Sequence, residues 1–225
     1  IIENDVITHA LMEKIQSTGI EILDNQKIVE IQRSRNSAKV ILVNYHLEKG
    51  AVRRGVAIET SLVVGADGAN SFIRDYFNFE TKTKPYNHTA IVATLKLEKS
   101  HSYTAYQRFY DKGVLAFLPL ADKNRASIVC SVKNDYASYL MGLADEAFEN
   151  ALGLAVSDQL GEVKLLSKRF SFELFERHAK TYIQDNVVLV GDACHSIHPL
   201  AGQGVNLGLK YVVSLTDVIT KAFKK

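Results

Sequence analysis

One stretch constrains this chain more than any other. From Val187 to Leu209 it reads Val-Val-Leu-Val-Gly-Asp-Ala-Cys-His-Ser-Ile-His-Pro-Leu-Ala-Gly-Gln-Gly-Val-Asn-Leu-Gly-Leu. The opening run, Val187 to Val190, is short, apolar and β-branched, the pattern of a strand buried in a parallel sheet. After a glycine-punctuated loop, Val205, Leu209, Val212, Leu215, Ile219 and Ala222 recur at three- and four-residue steps, which predicts an amphipathic helix. Strand, tight loop and helix start together make the layout that holds a ligand at the carboxyl edge of an α/β sheet.

The residue types in the loop suit one kind of ligand. Asp192, after Gly191 at the strand end, is placed to accept hydrogen bonds from a polyol hydroxyl. Gly202 and Gly204 lack a Cβ, so a flat ring system can approach their backbone. The amides of Gly204, Val205 and Asn206 are free donors at the partly positive end of the helix. A second stretch, Ser61 to Arg74, repeats the plan of apolar strand, glycine-bearing turn and helix. Its Asp67, followed by Gly68, is a candidate acceptor for a ribose or ribityl hydroxyl. Arg74 has two readings, a bidentate phosphate contact or a surface arginine favoured near a helix C-terminus by the macrodipole.

The stretch from Gly191 to Gly208 resembles the second FAD-binding motif of the class A flavoprotein monooxygenases, with wording most similar to the ubiquinone-biosynthesis hydroxylases. The resemblance implies that Asp192 holds the ribityl chain, that Pro199 lies beside the flavin ring at the reaction centre, and that the amides near Gly204 to Asn206 bind the pyrimidine end. The segment around Asp67 resembles the Asp-Gly fingerprint of that family, which serves FAD and the nicotinamide nucleotide; an arginine at the spacing of Arg74 is associated there with NAD(P)H. Tyr211 stands where the family usually has an acidic residue.

The implied fold is α/β: part of a Rossmann-like FAD/NAD(P)-binding domain with an inserted, mostly antiparallel β-sheet domain for substrate. Residues 1–80 and 181–225 belong to the first and 81–180 to the second. The implied activity is FAD-dependent hydroxylation of an aromatic ring, a prenylated phenol of ubiquinone biosynthesis, with NAD(P)H and O₂. Implied with it are a cytoplasmic setting, peripheral association with the inner membrane and a quinone-biosynthesis complex. The alternatives are a truncated, non-catalytic assembly partner and a flavin-dependent oxidase or halogenase on the same scaffold.

The remaining sequence divides into helix, hairpin and meander. Residues 1–18 predict a helix capped by Asn4 or Asp5, with Val6, Ala10, Leu11 and Ile15 as its apolar stripe and Gly19 as its stop. Ile20 to Leu23 predicts a short strand. Residues 27–46 predict a hairpin turning at Arg35 to Ser37, with a further bend at Glu48 to Gly50 and a strand over 51–60. Thr89–Leu97, Tyr103–Tyr110, Val114–Pro119 and Ala126–Val132 predict a β-meander with turns at Asp111–Gly113 and Asp122–Asn124. Within it, Phe109, Phe117 and Leu118 are either pocket lining or sheet core. Residues 135–153 predict one helix, and Val163–Phe175 one long strand.

Composition excludes several classes. A net charge of +2 and no basic run argue against nucleic-acid binding. The two cysteines, Cys130 and Cys194, lie far apart and in no motif, which fits a reduced compartment, with Cys194 a small packed thiol. His195 and His198, without a further cluster of ligand types, do not make a zinc site, so no metal is expected. No Gly-x-Gly-x-x-Gly strand with an acidic residue about 20 positions on is found. The expectation is therefore a segment lacking the N-terminal dinucleotide motif and the C-terminal end of the family, with unpaired sheet edges at Val63 and Val188 and weak FAD binding by itself.

Overall fold

The structure is a computed structural model that describes residues 2–34, 37–44, 56–196 and 203–224. In chain order its elements are α1 (Asn4–Ser17), β1 (Gln26–Arg33), β2 (Ala38–Asn44), β3 (Val56–Thr60), β4 (Val63–Gly65), α2 (Phe72–Tyr76), β5 (Thr81–Leu97), β6 (Tyr106–Tyr110), β7 (Gly113–Pro119) and β8 (Arg125–Lys133). There follow α3 (Asn134–Gly142), α4 (Asp145–Gly153), α5 (Ser157–Leu160), β9 (Val163–Leu165), β10 (Phe170–Ala179), β11 (Ile183–Gln184), β12 (Val187–Leu189), a 3₁₀ turn at Gly191–Ala193, β13 (His195–Ser196) and α6 (Gln203–Phe223). The chain divides into two compact units, one of residues 1–14 and 84–175, the other of residues 15–83 and 176–225.

The first unit is built on an antiparallel sheet of order β10-β5-β8-β7-β6, with β9 pairing the end of β5. Alternation puts Ile91, Ala93 and Leu95 of β5, Leu115 and Phe117 of β7, and Ile128 and Cys130 of β8 on one face, where they form a core with Leu140, Phe148, Leu152 and Leu160 of the helices. The expected helix over 135–153 is two. Leu143 and Ala144 take extended backbone between α3 and α4, and Arg169 donates to the carbonyls of Leu140 and Leu143 at that break. The same arginine lies in the gap between β9 and β10, so the single strand expected over 163–175 is also two. The strand expected from Tyr103 begins only at Tyr106. Ser102 and Tyr103 adopt positive φ, and buried His101 pins this turn, with Nδ1 accepting from the Tyr103 amide and Nε2 facing the Asp122 carbonyl.

The second unit contains two three-stranded sheets. One is the antiparallel β1-β2-β3, which includes the expected hairpin; Arg35 and Asn36 of its turn, and the bend at Glu48–Gly50, lie outside the described residues. The other has the order β11-β12-β4, with β12 parallel to β4 in the register Val187↔Val63, Val188↔Val64 and Leu189↔Gly65. Val188 also pairs with Ile183 of β11. The expectation of a free edge at Val188 is thus corrected, whereas the strand of Val63 stands at the end of this order. No strand forms over Ile20–Leu23. In α1 no residue is buried, and the expected stripe residues Val6 and Leu11 are exposed. Ile31, Val63, Ile73, Phe77, Phe79, Val187, Leu189 and Cys194 form the core of this unit.

Candidate functional site

The parallel pair decides where the two strand-tip carboxylates go. Because Gly65 is level with Leu189, and the Val190 amide donates to the Gly65 carbonyl at 2.9 Å, both strands end at one edge. Asp67 follows two residues after one strand end and Asp192 three after the other. Both are exposed. Gly68, with φ of +81°, turns the first loop, and Gly191, with φ of +60°, turns the second.

Each loop is held by its own hydrogen bonds. In the first, Asp67 Oδ2 accepts from the Ile73 amide at 3.0 Å and Ser71 Oγ from the Arg74 amide at 2.9 Å. These two side chains use the first-turn donors of α2, a helix of five residues. The sequence expectation of a helix start aimed at an outside anion is corrected here, since the helix caps itself. Arg74 sits in this short first turn and is 4% exposed, so it is not a surface arginine. Its Nη1 donates to the Ala69 carbonyl at 2.9 Å and to the Ala193 carbonyl at 3.2 Å, and its Nε to Asp75 at 3.0 Å. One guanidinium therefore ties the Asp67 loop to the Asp192 loop. Arg177 donates to the same Ala69 carbonyl.

In the second loop, the Cys194 amide and thiol both reach the Gly191 carbonyl at 3.1 Å. Burial, with the Asp192 charge adding, pushes the thiol up to about 11, so Cys194 is a neutral packing group and not a nucleophile. Helix α6 lies along this turn on a face that shares Leu215 and Ile219 with the expected apolar stripe but not Val205, Leu209 or Val212. Val205, Leu209 and Val212 are 62%, 54% and 49% exposed. The half-buried residues are Gly204, Leu207, Gly208 and Tyr211, with Leu215 and Ile219 of the expected stripe. The two glycines carry no hydropathy signal, yet they are the points of α6 nearest the turn, at distances where an added Cβ would make ordinary contacts. A Cβ at Gly208 would lie 3.6 Å from Gly191 Cα, and one at Gly204 would lie 4.0 Å from Asp192 Oδ1.

The start of α6 thus faces the Asp192 carboxylate, with no side chain at Gly204 between them. The amides of Gly204 and Val205 are in its first turn, where no carbonyl of the helix can receive them, whereas that of Asn206 stands at the first i→i−4 donor position. Pro199 and Gly202 lie outside the described residues, as does His198. The sequence reading missed Gly208, whose spacing of four from Gly204 was the available signal. It also missed a cluster in the same unit, in which His195 Nδ1 is 3.2 Å from the Tyr211 hydroxyl and His178 Nε2 is 3.1 Å from that of Tyr182.

In the other unit, the three residues between pocket lining and core separate by strand alternation. Phe117 is 1% exposed within the core. Phe109, opposite Val114, and Leu118 lie on the other face of the sheet, with Phe109 exposed and Leu118 half-buried.

These features fit an FAD molecule: two open carboxylates at one sheet edge, a helix start bare of side chain at Gly204, and amides in its first turn. Comparison with known proteins agrees. Residues 2–224 match the FAD binding domain family. The ubiquinone hydroxylase UbiL of Rhodospirillum rubrum is 31% identical over 223 residues, covering 99% of this chain and 49% of that protein. The mitochondrial ubiquinone biosynthesis monooxygenase COQ6 of Danio rerio is 31% identical over 264 residues, covering 99% and 53%. The chain spans about half the length of the curated relatives it matches. Among solved structures, pqsL, a probable FAD-dependent monooxygenase from Pseudomonas aeruginosa, superposes with a TM-score of 0.79 at 24% identity, over 97% of this chain and 60% of that one. CmlS, a flavin-dependent halogenase, does so with 0.77 at 17% identity, over 95% and 39%. Both show likeness of fold.

Proposed function

The chain belongs to the FAD-binding domain family, and from that premise we propose that it is the FAD-holding part of a monooxygenase that hydroxylates an aromatic ring with NAD(P)H and O₂. The substrate in this reading is a prenylated phenol of ubiquinone biosynthesis, in keeping with the names of the relatives. The observation that carries the proposal is the meeting of Asp67, Asp192 and the start of α6 at one edge of the β4/β12 pair.

Each residue has a role in this reading. Asp192 accepts hydrogen bonds from the ribityl hydroxyls, and Asp67 offers its remaining carboxylate oxygen to a sugar hydroxyl. The amides of Gly204, Val205 and Asn206 donate to the pyrimidine edge of the ring, where negative charge develops. Fixed donors in a water-poor site stabilise such charge without reorganising. Gly68 and Gly191 turn the two loops, while the roles of Gly202 and Pro199 beside the ring are assigned by the family resemblance alone. Arg74 acts through the loops it ties together, with the nicotinamide nucleotide as its second candidate partner. Bound FAD supplies the electron transfer and oxygen activation, while the chain contributes position, exclusion of water and electrostatics. The unit of residues 84–175 offers the substrate the open sheet face bearing Phe109, Val114 and Leu118. Among the described residues no helix is long and apolar enough to cross a membrane; the reading places the protein at the membrane surface, beside other quinone-forming enzymes.

Flavin fluorescence titration of the wild type and of Asp192→Asn tests the cofactor site. Loss of one charge-assisted acceptor should weaken binding about tenfold or more; equal affinity would remove Asp192 from the site. NADPH oxidation coupled to hydroxylation of a prenylphenol tests the reaction. Flavin reduction with a halogenated product, or with none, would overturn the hydroxylase reading.

A further inference from the structure

Four side chains outside the flavin-contacting set converge in the unit of residues 15–83 and 176–225. His178 on β10 and His195 on β13 are cross-strand partners with ring centroids 5.2 Å apart. Tyr182 precedes β11 and has its hydroxyl 3.1 Å from His178 Nε2. Tyr211, two turns into α6, has its hydroxyl 3.2 Å from His195 Nδ1, and its ring meets that of Tyr182 edge-on at 5.9 Å. His195 directly follows the Gly191–Cys194 turn, and Tyr211 lies on the same face of α6 as Gly204 and Gly208.

We propose that Tyr211 is a positioning residue, which donates its hydroxyl proton to His195 Nδ1 and thereby locks the Gly191–Asp192 turn against the first two turns of α6. The Gly191–Gly208 contact brings the two segments close, but two glycines offer no side chain to hold the register. A backbone approach without interlocking side chains slides freely, and a directional bond two turns along stops it. The bond needs a neutral His195, and its surroundings favour that state. Burial and then His178 hold His195 below the usual imidazole range, against the weaker opposing pull of Glu176 on β10 and Asp192 in the turn. Burial and then the Tyr211 hydroxyl push Tyr182 up to about 12, so the Tyr182 phenol stays protonated. The separation between the Asp192 carboxylate and the α6 amides follows from this lock. Its bearing on the cofactor rests on the function proposed above.

Tyr211→Phe removes the oxygen and leaves the ring. The side-chain nitrogen shifts of His195, followed by NMR through a pH titration, should show its pKa rising, because a donor that favours the neutral ring is gone, while the burial and the His178 charge that hold it down remain. Amide exchange over Gly204 to Gly208 should accelerate, and the FAD dissociation constant should rise, each by about two- to tenfold, the range of one net hydrogen bond. His195→Gln, whose side-chain oxygen can accept the phenol proton, should keep slow exchange where His195→Ala loses it. Unchanged His195 shifts and unchanged exchange in Tyr211→Phe would overturn the lock, as would equal exchange in the glutamine and alanine variants. Equal FAD affinity in the wild type and Asp192→Asn, while these two readouts still move in Tyr211→Phe, would overturn the cofactor reading and leave the lock standing.

Discussion

Replacing Arg74 by Met tests the tie between the two cofactor loops. Methionine fills much of the volume of the arginine stem but donates nothing. The Ala69 carbonyl keeps Arg177 as a donor, so it is not orphaned. The Asp75 partner is 70% exposed, and an ion pair with so exposed a member contributes little. The Ala193 carbonyl, on a residue 1% exposed, loses the guanidinium that now meets it at 3.2 Å. A buried acceptor left unmet costs about 1–3 kcal/mol, and removing the buried cation returns part of that, so about 2 kcal/mol of net loss is expected. For a chain of this size that lowers the melting temperature by roughly 4–8 °C, read by circular dichroism. Arg74→Lys, which keeps the charge but reaches one carbonyl at a time, should fall between. Melting of Arg74→Met within a degree of the wild type would refute the tie. Loss of NADPH affinity without loss of stability would place Arg74 at the nucleotide instead.

Among the described glycines, Gly113 is the one where an added Cβ, as in Gly113→Ala, would meet the nearest atom. At φ of +149° its Cβ would stand 2.1 Å from the Ser131 carbonyl of the neighbouring strand. Backbone cannot yield as a side-chain end does, so a loss of about 3 kcal/mol is expected in urea denaturation, and an unchanged midpoint would contradict the register of β7 on β8. Stability should also depend on pH through His195. Its folded pKa lies below 6.5, chiefly because it is buried and then because of His178, so the unfolded chain takes up the proton first. The contribution is therefore complete above pH 6.5 and is lost as pH falls through the depressed native value. His195→Gln should flatten the urea midpoint over that window; an identical slope would assign it to another group. Cys194, pushed up to about 11, is thiolate to about one part in a thousand at pH 8, and Cys130 is wholly buried. Ellman's reagent should label neither until the chain unfolds, and rapid labelling of one equivalent in the native protein would be inconsistent with this packing.

Much of the architecture is legible because it rests on local rules. The four meander strands are visible within a few residues of their ends, except that β5 extends back to Thr81, because alternation and the turns at Asp111–Gly113 and Asp122–Asn124 act over short spans. The two strand, turn and helix plans are legible from Gly and Asp at the strand tips. What fails to show is what depends on partners. The packed face of α6 is hidden because Gly204 and Gly208 act by being small, while the conspicuous Val205, Leu209 and Val212 face outward. The burial of Arg74 depends on the Ala193 carbonyl, far away in sequence. Phe117 and Leu118 are equally apolar, and only the register of β7 against β8 assigns one to the core. The break between α3 and α4 coincides with Arg169, a residue beyond both helices that reaches back to their carbonyls.

The parallel pairing of Val63 with Val187 has a consequence for assembly. Residues 66–186 lie between the two strands, so β4 must wait for nearly the rest of the chain to be synthesised before it can meet β12. The meander, with its neighbouring hairpins, closes over short loops and is expected to form early, whereas a pairing this distant pays its loop entropy late. The edge that carries both aspartates can then form only after residues 66–186 have been made. A destabilised variant would expose it first, and a ligand gripping that edge would act as a chaperone for the final step.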